Sequence, residues 1–367
     1  MNAKHLEIVS HFAIRGTVTD IKPLGEGLIN DTLLVKTAED DAPDYVMQRV
    51  NRNVFPDVEM VMRNIHAVTT HIRRKLEAAN ETDIDRKVLT FIPAKENDEQ
   101  LYAIVDGEYW RVMVFIAGAV TKQAVNPESS RAAGEAFGRF QAMLADIPVE
   151  LGETIKDFHN MEFRLQQLRE VVEKDPMGRV GEEKVQQLLA EIEKRAEYMC
   201  KAERMGCEGT LPKRVCHCDT KVNNMMFDEQ DRVLCVIDLD TVMPNFIFSD
   251  YGDFLRTGAN VVAEDCPDMD AVKFNVEIFK AFTEGYLASA KSFLTEVEIE
   301  NLPYAVKLFP YMQCVRFLWD YLNGDKYWKC QYPDHNFVRA NNQFHLLLST
   351  EAHEAEMEDF IQKQLKA

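Results

Sequence analysis

The 367-residue chain lacks a surplus of positive charge: 42 Lys and Arg face 61 Asp and Glu, a formal charge of −19. A protein that tracks nucleic-acid phosphates needs Lys and Arg in excess, so that class is excluded, although a local basic pocket for a small anion is not. Long apolar runs are missing too. The longest, Val112 to Val120, falls far short of the ~20 residues of a membrane span, and polar residues interrupt the N-terminal stretch where a signal-peptide core would lie. A soluble, cytoplasmic protein without a membrane partner is the expectation. None of the eight cysteines forms a Cys-x-x-Cys pair, and Cys216-His217-Cys218 has no second cluster at zinc spacing. Reduced structural thiols are expected. There is no Gly-Lys-Ser/Thr phosphate loop, no Gly-x-Ser-x-Gly elbow and no His-Glu-x-x-His.

What is present is a globular composition, 46% apolar and 28% charged, on a chain long enough for two lobes. The first part reads as strands: 17–24, 28–37, 45–50, 87–92, 101–105 and 109–115. Asp106-Gly107 is a hairpin signal between the last two. Between them Pro56 opens a helix with Val58, Val61, Met62, Ile65, Val68, Ile72 and Leu76 on one face. From Gly118 onward helical spacing dominates, over 131–144, from Met161 to Val172, from Val185 to Met199, and over 271–291, 298–323 and 342–366. The expected architecture is α+β: an N-terminal lobe, 1–116, with an antiparallel sheet and one main helix, and a larger, mainly helical lobe, 117–367.

One segment concentrates polar chemistry. Residues 217–224 read His217-Cys-Asp219-Thr-Lys221-Val-Asn-Asn224, and an apolar strand ending in Asp238 follows. Phosphoryl transfer needs a carboxylate to take the acceptor hydroxyl's proton, oxygen ligands for Mg²⁺, and a cation against the transferred group. Asp219 suits the first role, Asn224 and Asp238 the second, Lys221 the third. Mg²⁺ takes few protein carboxylates and completes its shell with phosphates and water, which fits so sparse a set. His217 reads as a brace of the loop, because the carboxylate already supplies the base. Gly25-Glu-Gly27-Leu-Ile-Asn30 sits between two strand candidates, and its glycines permit close approach of backbone to phosphates. Asp250-Tyr-Gly252-Asp253 reads as a brace for the strand carrying Asp238, or as a turn with capping carboxylates. Arg316, Asp320, Tyr321, Tyr327, Trp328 and Tyr332 crowd a late segment whose aromatic faces and charges could hold a sugar ring, or simply pack.

With these motifs the chain resembles the aminoglycoside phosphotransferase and choline kinase branch of the protein-kinase-like fold. Within it the chain is most similar to the amino-sugar subgroup, the bacterial N-acetylhexosamine 1-kinases. Further stretches that carry the resemblance are Phe55-Pro56-Asp57, Met62-Arg-Asn64, Ile237-Asp-Leu-Asp-Thr-Val-Met-Pro244, Gly324-Asp-Lys-Tyr327 and Tyr332-Pro-Asp-His-Asn336. The resemblance implies a bilobal kinase using ATP and Mg²⁺ on a small sugar. It implies Asp219 as proton acceptor and Asn224 and Asp238 at magnesium. Adenine would lie near Val114, Phe115 and Ile116, phosphates near Gly25, Gly27, Asn30 and Arg49, and the sugar against Arg316 and Tyr327. Two departures stand out. Many relatives carry a Lys on the third strand, where this chain has Gln48 with Arg49 beside it, and Leu28 stands where the sugar kinases have His.

Overall fold

A computed structural model describes residues 2–25, 29–122, 124–230 and 232–366. It has two compact units: Met1–Thr121 with Asp146–Lys156 and Met225–Met243, and Lys122–Ala145 with Asp157–Asn224 and Pro244–Ala367.

The first unit begins with helix α1 (Ala3–Ser10) and is built on a five-stranded antiparallel sheet. Its strands are β1 (Val18–Pro23), β2 (Asp31–Thr37), β3 (Tyr45–Arg49), β4 (Ala103–Val105) and β5 (Glu108–Val114), in the spatial order β1-β2-β3-β5-β4. Side chains alternate between the faces of a strand, so register decides what meets. On one face Ile8, Val9 and Phe12 cover Val35, Tyr45, Met47, Trp110 and Val112. On the other, Thr32, Gln48 and Arg111 align as cross-strand partners. Asp106 and Gly107 both take positive φ, 53° and 76°, as a tight primed hairpin turn requires. Helix α2 (Val58–Ala78) starts at Asp57, whose side chain accepts the Met60 N–H, and buries the predicted apolar stripe. The expected strand at 87–92 is reduced to a bridge at Phe91, although Thr90 and Ile92 still bond to β5. Pro93 follows at once and has no N–H to extend the ladder. A small sheet joins Val120–Thr121, Met225–Phe227 and Val233–Val236 and leads directly to Asp238.

The second unit is helical. Helix α3 (Pro127–Leu144) opens with an Asn126 capping box. Then come α4 (Met161–Lys174), α5 (Glu183–Met199), α6 (Lys201–Cys207), α7 (Phe248–Gly258), α8 (Val276–Ala290), α9 (Glu296–Glu300), α10 (Leu302–Leu322), α11 (His335–Ala352) and α12 (Glu354–Lys366). The stripe read as one helix over 342–366 is broken at His353. Helix α10 is buried almost all round, as its apolar sequence demands, and forms the unit's axis. Helices α3 and α8 touch backbone to backbone: a Cβ on Gly285 would lie 1.9 Å from the Arg131 carbonyl oxygen, and one on Gly134 2.1 Å from that of Phe282. Among the described residues no helix is long and apolar enough to cross a membrane. All eight cysteines are free thiols.

One buried acid makes the fold pH-dependent. Glu203 on α6 accepts the Met161 N–H at 2.7 Å, and its other oxygen has no partner among the described residues. Burial pushes its pKa up to about 7. A carboxyl raised in this way stabilises the fold fully below its unfolded pKa, near 4.5, and loses that contribution as pH rises through 7. Glu203→Gln is therefore expected to match the parent protein in thermal melts at pH 4 and to exceed it at pH 8.5, by up to about 3 kcal/mol. Equal gains at both values would contradict this.

Candidate active site

In the second unit, residues 216–224 form a loop whose backbone is held from below. The Asp250 carboxylate, almost fully buried on α7, accepts the N–H groups of His217 (2.9 Å) and Cys218 (2.8 Å) and the Gln141 amide (2.7 Å). The Thr220 hydroxyl donates to the Asp250 carbonyl at 2.7 Å. Burial raises the Asp250 pKa, and His217 and these donors oppose the rise. The sequence expectation that Asp250 braces the Asp238 strand is corrected here, since its carboxylate grips the Asp219 loop. Cys218 takes a left-handed conformation (φ 63°), costly for a residue with a Cβ, and the Asp250 bond to its N–H offsets that cost. His217 is buried between Phe137 and Phe140, with both ring centroids 6.0 Å away, and its Nδ1 accepts the Asp219 N–H at 3.2 Å. That is the setting of a brace.

The loop brings three of the predicted residues together. Asn224 Nδ2 donates to the Asp219 carbonyl (2.8 Å) and to its carboxylate Oδ2 (3.0 Å), while Lys221 Nζ lies 3.1 Å from Oδ1. With the Asn224 nitrogen committed to Asp219, its carbonyl oxygen is the atom suited to a cation. Asparagine and carboxylate oxygens are the hard donors that Mg²⁺ takes. Among the described residues no three His, Cys, Asp or Glu cluster as a metal site.

The late segment is organised by Asp320. Its buried carboxylate accepts the N–H groups of Lys326 and Tyr327 (both 2.9 Å) and of Trp328 (3.0 Å), together with the Asn336 amide (2.9 Å). This turn presents Tyr327, edge-on to Trp328. The Arg316 guanidinium lies 5.1 Å from the Phe158 ring centre and 5.2 Å from that of Trp328, and bonds the Gln313 amide oxygen at 3.0 Å. Arg164 bonds the Phe158 carbonyl and Gln167. Among the described residues neither arginine pairs with a carboxylate. Burial lowers both pKa values, that of Arg164 to about 9 with Arg316 as the second cause. Asp253 and Asp219 lie close enough to act electrostatically on Arg316. His159 is buried beside them, its Nδ1 without a partner among the described residues; burial and the charges of Arg316, Arg164 and Arg256 keep it neutral. Sequence reading missed Arg164 and His159, which carry no motif.

In the first unit, Asp238 opens a short 3-10 turn, Leu239–Thr241, from a left-handed conformation (φ 59°, ψ 60°). Gly25 has positive φ, 70°, with open space where a Cβ would be; Gly27 and Leu28 fall outside the described residues. Asn30 is buried, accepting the Asn51 N–H (3.0 Å) and donating to Asp240 (2.7 Å). Arg49 is on the sheet face opposite Gln48, ion-paired to Asp31 at 2.6 Å and Glu108 at 3.5 Å. It borders a cavity of about 530 Å³ with Ile29, Asn51 and Arg52. At the end of β5 the Val114 and Phe115 N–H groups donate to Thr90 and Asp44 carbonyls, and Ile116 is buried.

The profile of the APH phosphotransferase enzyme family matches residues 20–275. Similar folds occur in an aminoglycoside phosphotransferase from Alicyclobacillus acidocaldarius (TM-score 0.59, 13% identity, covering 98% of this chain and 96% of that one). They occur also in a spectinomycin phosphotransferase bound to ADP and spectinomycin (0.57, 12%, 96% and 99%). A third is a choline kinase from Cryptosporidium parvum (0.58, 14%, 98% and 94%). At such identities these likenesses speak for the fold, while the profile, spanning more than half of the sequence, speaks for descent. The chain belongs to the APH phosphotransferase enzyme family and is a small-molecule kinase acting on a hydroxyl group.

Proposed function

We propose that the protein transfers the γ-phosphoryl group of ATP, with Mg²⁺, to the anomeric hydroxyl of an N-acetylhexosamine, N-acetylglucosamine or N-acetylgalactosamine, giving the sugar 1-phosphate. Asp219 accepts the hydroxyl proton as that oxygen bonds to the γ-phosphorus. The bond from phosphorus to the β-phosphate oxygen breaks, and its electron pair leaves with ADP. Lys221, beside Asp219, offsets charge on the transferred group. Asn224, through its carbonyl oxygen, and Asp238 are the residues assigned to magnesium, which would neutralise phosphate charge when bound. The resemblance to the kinase family suggests adenine near 114–116. With the Val114 and Phe115 N–H groups committed to the Thr90 and Asp44 carbonyls, the Ile116 backbone is the group assigned to the base.

The observation that carries the acceptor class is the pair Arg164 and Arg316, two half-buried guanidinium groups that form no ion pair with a carboxylate among the described residues, with Trp328 and Phe158 flanking Arg316. Such a surface attracts carbonyl and hydroxyl oxygens and an aromatic-stacking ring, and it repels ammonium groups. The resemblance to amino-sugar kinases points the same way. The net charge of −19 would favour a cationic acceptor such as choline or an aminoglycoside, but local charge at the site outweighs distant charge screened over about 8 Å.

An acceptor panel tests this. N-acetylhexosamines are expected to be turned over and choline, ethanolamine and aminoglycosides not. Arg316→Met is expected to raise the sugar KM at least tenfold with little change in the KM for ATP. Efficient turnover of a cationic alcohol, or an unchanged sugar KM in the variant, would overturn the assignment.

A further inference from the structure

Arg111 is the one charged residue in the inner part of β5, flanked by Trp110, Val112 and Met113, and only 2% of it is exposed. Its guanidinium forms a bidentate pair with the equally buried Asp240, with Nη2 3.0 Å from Oδ2. The Gln48 amide oxygen accepts from Arg111 Nε (3.0 Å) and Nη2 (2.8 Å), and the Gln48 nitrogen donates to the Thr32 hydroxyl (3.1 Å). Asn30 completes the set by donating to Asp240 Oδ2 at 2.7 Å. The Phe91 ring, 5.7 Å from the guanidinium centre, and the Met62 sulfur close it off. Asp240 lies in the turn that directly follows Asp238, and two residues on Asn64 of α2 donates to the Val242 carbonyl at 2.9 Å. All of these groups belong to the first unit.

We infer that Arg111 is a positioning residue for Asp238. Through Asp240 it pins the left-handed turn from which the Asp238 carboxylate projects, and Gln48 and Asn30 fix the geometry of that grip. A left-handed aspartate is an unfavourable backbone state that persists only where its surroundings over-determine it. Here the following residues are clamped at 240 by the sheet and at 242 by α2. The network also accounts for Gln48: a Lys there would set an ammonium roughly 3 Å from the Arg111 guanidinium in a buried site, where like charges repel strongly. The inference rests on the proposed assignment of Asp238 to the metal.

A buried ion pair contributes little net stability, and replacing both partners with apolar groups is often neutral. That property separates positioning from scaffolding. Mn²⁺, a paramagnetic substitute for Mg²⁺, is titrated into the full-length protein with a non-hydrolysable ATP analogue and followed by electron paramagnetic resonance, beside thermal melts. The double variant Arg111→Met with Asp240→Leu is expected to stay folded, melting somewhat lower because the Asn30 and Gln48 amides lose partners, and to bind Mn²⁺ at least tenfold more weakly. Arg111→Lys keeps the charge but loses the fork to Asp240 and Gln48. It is expected to bind Mn²⁺ severalfold more weakly, and it decides the matter if the double variant does not fold. Parent-like Mn²⁺ affinity in a folded double variant, or in Arg111→Lys, overturns the inference. Asp238→Asn is the control: if it binds Mn²⁺ like the parent, the metal assignment itself fails, whereas weak binding there with tight binding in the Arg111 variants defeats only the positioning role.

Discussion

Asp219→Asn is expected to lower kcat by about three orders of magnitude, within the range that removal of a positioned proton acceptor produces. The melting temperature is expected to stay within a few degrees of the parent. The reason is local. Asp219 is partly exposed at the loop surface, and an asparagine there keeps an oxygen for the Asn224 amide. Steady-state kinetics and a thermal melt of the same preparation check both halves. A fully active Asn variant would remove Asp219 from the chemistry.

Asp250→Ala is expected to do the reverse and more. The substitution strips the acceptor from the His217 and Cys218 N–H groups and the Gln141 amide in a site closed to water. Orphaned buried donors cost about 1–3 kcal/mol each, and breaking a buried charged network costs about 3–5 kcal/mol. A loss of that size should show as a large drop in melting temperature and denaturation midpoint. Activity is expected to fall with it, because the Asp219 loop loses the anchor that holds Cys218 in its left-handed state. An Asp250→Ala protein as stable and active as the parent would show that the loop holds its shape unaided.

These two carboxylates differ in how far the sequence disclosed them. Asp219 was legible, because His217, Asp219, Lys221 and Asn224 fall within eight residues and one loop must bring them together. The antiparallel sheet was legible for a similar reason: bulky, apolar strand candidates at 45–50 and 109–115, the second preceded by the Asp106-Gly107 turn signal, had local preferences that agreed with the final pairing. The grip of Asp250 was not legible. Its partners lie 32 and 33 residues earlier and at Gln141, and nothing local separates a loop anchor from a helix-capping carboxylate. Helix α7 was overlooked for the same reason. Arg111 left a trace, a lone charge inside an apolar strand, but its partner Asp240 is 129 residues away. Arg316 and Tyr327 stood out in a late segment crowded with aromatic and charged residues, and the resemblance suggested their role. The place of Arg164, whose guanidinium bonds the Phe158 carbonyl, required the fold that sets Phe158 beside α10. Patterns near in sequence report local structure, whereas long-range polar contacts are set by tertiary packing.

Phosphorylation of an oxygen-rich neutral sugar at its anomeric position, as proposed for this kinase, is read out by phosphorus NMR of the products formed from ATP, Mg²⁺ and N-acetylglucosamine or N-acetylgalactosamine. ADP is expected together with a phosphate resonance coupled to the anomeric proton. A phosphate coupled to any other sugar proton, or product formed only when choline or an aminoglycoside replaces the sugar, would contradict the proposal.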